Sequence, residues 1–183
     1  MSGLVKPQKG QILVDENELK DEEIKSWQNK ISIITQDFNL LFENIYENFE
    51  INLKENKKEK IQKILKDLNL AQINEEIDSL SKGQKQIIAL LAQLYQEKEI
   101  LILDEITSSL DVISEDKINE LLKNYKNKKT VILIAHRLQI LKNCTKVIYM
   151  DNGKIIDFDT FENLNNKYEN FKKIIELSSF KLT

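Results

Sequence analysis

Two runs constrain this chain more than any other feature: ILIL at 100–103 and VILIA at 131–135. Each is continuously apolar, each is about one strand long, and each closes on a polar pair, Asp104-Glu105 after the first and His136-Arg137 after the second. A strand with one wet face alternates apolar and polar residues. A strand without alternation is covered on both faces, as in a parallel sheet flanked by helices. A further strand is expected at 31–35 (ISIIT), ending at Gln36, and a short one at 11–15 (QILVD). Helical spacing appears between these runs. Ile24 and Trp27 mark a short helix over 21–30, and Ile61, Ile64, Leu65 and Leu68 mark a longer one from Lys57. The stretch 81–95 is apolar on most faces, and 114–125 is amphipathic through Ile118, Leu121, Leu122 and Tyr125. Residues 146–157 read as a hairpin turning on Asn152-Gly153. A final helix is expected over 168–177, with Tyr168, Phe171 and Ile175 inward. Alternating strands and helices predict an α/β fold with a largely parallel sheet, in one domain over residues 1–183.

Charge and composition exclude several classes. Lys and Arg total 27 against 30 Asp and Glu, a net charge of −3. That balance offers no basic surplus for nucleic acid. No apolar run approaches the roughly 20 residues that span a bilayer, and residues 1–9 hold no apolar stretch fit for a signal peptide. A membrane role would therefore come through a partner. The single Cys144 excludes an internal disulfide and suits a reducing cytosol; it reads as a small core residue. The charge run over 54–60 reads as a solvated loop and helix start.

The chemistry-bearing residues sit where the predicted strands end. Ligands bind at the carboxyl edge of open α/β sheets, and Asp104 and Glu105 fall there. One carboxylate can hold Mg²⁺ and the other can polarise a water that attacks phosphate. Read blandly, the pair is a strand end entering a solvated turn. His136, the only histidine, and Gln36 follow their own strands in the same way. Imidazole there can bond a phosphate or orient water, although either residue alone is also an ordinary strand cap. Ser81-Lys82-Gly83-Gln84 fits a capping box that opens a helix. The same geometry, with unbonded N–H groups and a glycine permitting close approach, suits a phosphate.

The order of these segments resembles the nucleotide-binding domain of ABC-type ATPases. Gln36, then Ser81 to Gln84, Asp104-Glu105, Ser108-Ser-Leu-Asp111 and His136 match that family's Q-loop, signature, Walker B, D-loop and H-loop. ILILDEITSSLD is especially close to the family pattern. The resemblance implies a P-loop NTPase-like ABC ATPase fold with a helical subdomain at about 45–95. It implies ATP and Mg²⁺ as ligands. Asp104 would hold Mg²⁺, Glu105 would be the general base, and His136 would contact the terminal phosphate. Gln36 would contact Mg²⁺ and water and sense a membrane partner. Ser81, Lys82, Gly83 and Gln84 would face ATP held by a second domain, and Asp111 would couple the two sites. The implied partners are that second nucleotide-binding domain and a transmembrane domain. The implied location is the cytoplasmic face of the membrane, with no nucleic acid.

The chain departs from the family pattern in places. Its four glycines are Gly3, Gly10, Gly83 and Gly153, and no pair of them makes a GxxxxGK[ST] loop. The P-loop and the strands before it are therefore expected to be missing, and the chain alone is expected not to hydrolyse ATP. Lys82 stands where the family usually has glycine. Ile87 and Ala92 stand where arginine is common, and apolar packing is expected in its place. QDFNLLFENIYENF and the segment 159–171 resemble exporters, although an exporter-like insert before Leu80 is absent. Two competing readings are a lobe of a DNA-maintenance ATPase of the SMC kind, and a non-catalytic remnant or binding module.

Overall fold

Residues 11–15 form less strand than their composition suggests. In the computed structural model, which describes residues 3, 5–35, 40–50, 58–67, 70, 77–96, 98–106, 112–125, 128–135 and 138–180, only Leu13–Val14 is extended there (β1). It pairs antiparallel with Asn17–Glu18 (β2). The turn residues Asp15 and Glu16 have φ of 48° and 68°, the left-handed pair that a two-residue hairpin requires. This reversal is what cuts the expected strand short.

A 3₁₀ turn (Asp21–Glu23) leads into α1 (Ile24–Asn29), with Ile24 and Trp27 half-buried as their spacing predicted. Next comes β3 (Ile31–Ile34). The described elements before the next strand are all helical: α2 (Glu47–Glu50), α3 (Lys58–Asp67), a 3₁₀ turn (Ile77–Ser79) and α4 (Lys82–Leu94). Of the charge run, residues 54–57 lie outside the described residues, and Lys58 opens α3. Then β4 (Ile100–Asp104), α5 (Val112–Lys123) and β5 (Thr130–Ile134) follow. The three strands form a parallel sheet in the order β3-β4-β5, with Ile34 opposite Leu103, Leu103 opposite Leu133, and Asp104 opposite Ile134.

The main core lies over β4. Ile61 and Leu65 of α3, Ile88, Leu90 and Leu91 of α4, and Ile118 of α5 close on Leu101 and Leu103. Burying one such side chain is worth about 1.5–3 kcal/mol. One expectation is corrected here. β5 is half-buried rather than buried, and Ile134 is 50% exposed. Its apolar sequence matches β4, but Val131 and Leu133 only lean against the main core, whereas Leu101 and Leu103 lie inside it.

The chain then forms a 3₁₀ segment (Leu138–Asn143) and the hairpin of β6 (Val147–Asp151) and β7 (Lys154–Asp159). Asn152 and Gly153 turn it at φ of 47° and 72°, as the Asn-Gly pair predicted. A helix the sequence reading lacked follows, α6 (Phe161–Lys167), capped by Thr160 Oγ accepting from the Asn163 N–H at 3.3 Å. Tyr168 is extended and separates it from α7 (Glu169–Phe180). Val147, Leu164, Phe171 and Ile175 make a second, smaller core, against which the half-buried Cys144 packs as expected. Among the described residues, no helix is long and apolar enough to cross a membrane.

Candidate functional site

Parallel pairing in register brings three strand ends to one edge. Ile34 lies two residues before Gln36, Asp104 leads into Glu105, and Ile134 lies two residues before His136. Gln36, Asp111 and His136 themselves fall outside the described residues. Asp104 and Glu105 are described, and both are half-buried.

The backbone at Glu105 is unusual. Its φ is 54°, a left-handed value that costs a non-glycine residue about 1–2 kcal/mol. Two contacts hold it there. The Glu105 N–H donates to the Ile134 carbonyl at 2.9 Å, which carries the β4–β5 pairing one residue past Asp104. Ile106, the next residue, is buried in the main core. Nothing in DE after ILIL announces this conformation, because the acceptor lies 29 residues downstream.

The start of α4 is built locally. Ser81 is extended, its Oγ accepts from the Gln84 N–H at 3.3 Å, and Gln84 Oε1 accepts from the Ser81 N–H at 2.8 Å. This is the reciprocal capping box that the sequence predicted, worth about 1 kcal/mol. The N–H groups of Lys82 and Gly83 belong to the first helical turn, where no intrahelical acceptor exists. Ser81 and Lys82 are exposed and Gly83 is half-buried, so this end of the helix dipole faces solvent. Ile87 and Ala92 are buried, so the helix is braced by apolar packing as expected.

The far end of α4 is pinned to the opposite edge of the sheet. Lys129, one residue before β5, donates from Nζ to the carbonyls of Leu94 at 3.1 Å and Gln96 at 2.5 Å. Ser32 Oγ near the start of β3 donates to Gln93 Oε1. Thirteen residues of α4 rise about 20 Å from there, with Ser81 at the other end. Beside the pinned end, burial and the neighbouring Tyr125 push the Tyr95 hydroxyl up to about 12. Sequence reading missed the Lys129 cap, whose one signal is a lysine directly before a strand.

These residues fit nucleotide chemistry. The exposed first turn of α4 offers backbone donors to a phosphate. Asp104 and Glu105 offer hard oxygen ligands. Among the described residues, no group of three or more His, Cys, Asp or Glu could hold a metal by itself. Mg²⁺ commonly binds through one or two carboxylates together with substrate phosphates and water, so the donor set suits a metal–nucleotide complex rather than a protein cage.

Comparison with known proteins agrees with this arrangement. The family model described as ABC transporter matches residues 1–108. The chain is 34% identical over 170 residues to the heterocyst differentiation ATP-binding protein HepA of Nostoc sp., covering 86% of this chain and 28% of that protein. It is 30% identical over 182 residues to the putative multidrug export ATP-binding/permease protein YgaD of Bacillus subtilis, covering 93% of this chain and 31% of that protein. The chain thus spans about a third or less of the curated relatives it matches. A bacterial ABC exporter of the Atm1 family, solved with ATP bound, superimposes with a TM-score of 0.81 at 22% identity, over 95% of this chain and 33% of its own; the likeness is one of fold. The chain belongs to the ABC transporter family and has the α/β fold of its nucleotide-binding domain.

Proposed function

We propose that this chain is part of the ATP-hydrolysing machinery of an exporter-type ABC transporter. It would work at the cytoplasmic face of a membrane, joined to a transmembrane domain and paired with a second nucleotide-binding domain. The observation that carries this reading is the shared edge, where three parallel strands in register lead toward Gln36, Asp104-Glu105 and His136. Export is named for the Bacillus subtilis relative and for the structural neighbour, which favours transport over DNA maintenance.

The residues divide the work by chemistry. Asp104, with Gln36, would hold Mg²⁺, which supplies charge neutralisation on the phosphate oxygens. The Glu105 carboxylate would accept the proton of the attacking water. His136 would hydrogen-bond the terminal phosphate. Ser81, Lys82, Gly83 and Gln84 would meet the terminal phosphate of ATP held by the paired domain, and Asp111 would couple the two sites. The helical stretch at about 45–95 would form the subdomain that carries this signature end. Because these 183 residues contain no GxxxxGK[ST] loop, the chain alone would neither bind ATP tightly nor turn it over.

A mixing experiment tests the reading. The chain alone should give no ATP turnover and no micromolar binding of ATP with Mg²⁺ by calorimetry. Mixed with a P-loop-bearing domain of the family whose own signature serine is replaced by arginine, it should restore turnover. Ser81→Arg in this chain should remove that rescue. Micromolar ATP binding by the chain alone, or no rescue by a folded chain, would sink the reading.

A further inference from the structure

Between β3 and α3, the side chain of Asn48 is fully occupied by one short loop. Its Oδ1 accepts from the N–H groups of Leu41 at 2.9 Å and Phe42 at 3.3 Å. Its Nδ2 donates to the carbonyls of Phe42 at 2.9 Å and Asn44 at 2.8 Å. A carboxamide has two donor hydrogens and two acceptor lone pairs, so all four places are used on backbone groups over residues 41–44. A fifth bond, from the Tyr46 N–H to Asn44 Oδ1 at 2.8 Å, closes the loop onto α2.

The loop is tied in turn to the segment before α4. The Glu43 carbonyl accepts from the Ile77 N–H at 2.8 Å, and the Ile77 carbonyl accepts from the Leu80 N–H at 3.0 Å. Ser81, the cap of α4, is the next residue. Ile77 and Leu80 are buried in the same core as Ile45 and Phe49, which flank the latch. We propose that Asn48 is a positioning residue for the Ser81 end of α4. It holds the loop over residues 41–44 rigid, and the Glu43–Ile77 bond passes that rigidity to the capping box. A loop without the latch would have free torsions at the acceptor on which Ile77 depends, and α4 would begin from a looser base. The functional weight of this inference rests on the proposed role of Ser81, but its geometric content does not.

Site-resolved amide hydrogen exchange on the 183-residue chain, without nucleotide, tests it. Asn48→Ala should speed exchange at Leu41 and Phe42, and also at Ile77, Leu80 and Gln84, by about tenfold. The amides of Leu103 and Leu133 in the sheet should keep their rates. Asn48→Asp keeps the acceptor for Leu41 and Phe42 and loses both donors, so it should recover part of the protection at Ile77 and Gln84. Two results would overturn the proposal. One is faster exchange confined to Leu41 and Phe42, which would make the latch a local loop feature. The other is a uniform rise that includes Leu103, which would make Asn48 a general stability residue. If the exchange result holds while the mixing experiment fails, the coupling stands and the assignment of Ser81 falls.

Discussion

The two described halves of the site are held in opposite ways. The helix start at Ser81 is made by two residues three positions apart, Ser81 and Gln84, each bonding the backbone of the other. The strand end at Glu105 is made at long range, by a carbonyl on the neighbouring strand and a buried residue in the core. The first is a local motif that any solvated helix can carry. The second exists only while β4 and β5 are paired. Damage to the sheet should therefore reach Glu105 well before Ser81, and damage to the cap should stay within the first turn of α4.

The largest expected effect is chemical. In the chain supplied with a family P-loop segment in cis, Glu105→Gln should lower turnover by about 10²–10⁴ with ATP binding intact, since the amide matches the shape but takes no proton. Steady-state ATPase rates beside nucleotide titration measure both. A Glu105→Gln protein that works near the parent rate would make the strand end a structural turn and erase the contrast between the two halves.

Next is Leu103→Ala, which opens a cavity at a fully buried position on β4. Denaturant unfolding should report a loss of about 2–5 kcal/mol. Amide exchange at Glu105 should rise while the Gln84 amide changes far less. Equal loosening at both amides would show that the helix start is as dependent on the sheet as the strand end.

Smaller effects separate the halves by backbone and by cap. Glu105→Gly should be more stable than Glu105→Ala by about 1 kcal/mol, because glycine tolerates φ of 54°. Equal stabilities would mean that the left-handed turn relaxes without the carboxylate. Ser81→Ala should cost about 1 kcal/mol, with faster exchange confined to the first turn of α4.

Acid provides the mildest probe, in a region that carries neither half. The Lys167 ammonium, the Phe158 N–H and the Tyr168 hydroxyl hold Asp157 at about 2, below its ordinary 3.8. A depressed carboxylate adds stability that is complete above the unfolded value and fades as pH falls through the folded one. Between about pH 4 and 2, the packing of β7 on α6 and Tyr168 should therefore loosen, read by the near-ultraviolet signal of Tyr149 and Tyr168. Asp157→Asn should flatten that dependence. An unchanged pH profile would show that these contacts do not act in solution.

Much of this was legible in order and little in geometry. The runs at 100–103 and 131–135 announced their strands, Asn152-Gly153 its turn, and Ser81 with Gln84 its capping box, because each signal lies within one turn or one strand. The shortening of residues 11–15, the helix at Phe161–Lys167 and the half-exposure of β5 were not legible. β5 is as apolar as β4, and packing separates them: Leu101 and Leu103 lie inside the main core, while Val131 and Leu133 only lean against it. In the hairpin the face decides: Val147 is buried in the second core, while the next residue, Ile148, lies on the other face and pairs with Phe158 at 42% and 57% exposure.

Sequence by itself determined the order β3, α3, α4, β4, α5, β5, the local cap at Ser81 and the polar residues that follow each apolar run. Periodicity, capping and turn chemistry act over a few residues and need no distant partner. Tertiary structure alone decided that Glu105 turns left-handed against Ile134, that Lys129 closes the far end of α4, and that the Glu43 carbonyl accepts from the Ile77 N–H. Each of those contacts joins groups far apart in the chain, and their bonding depends on a register and a packing that composition does not encode.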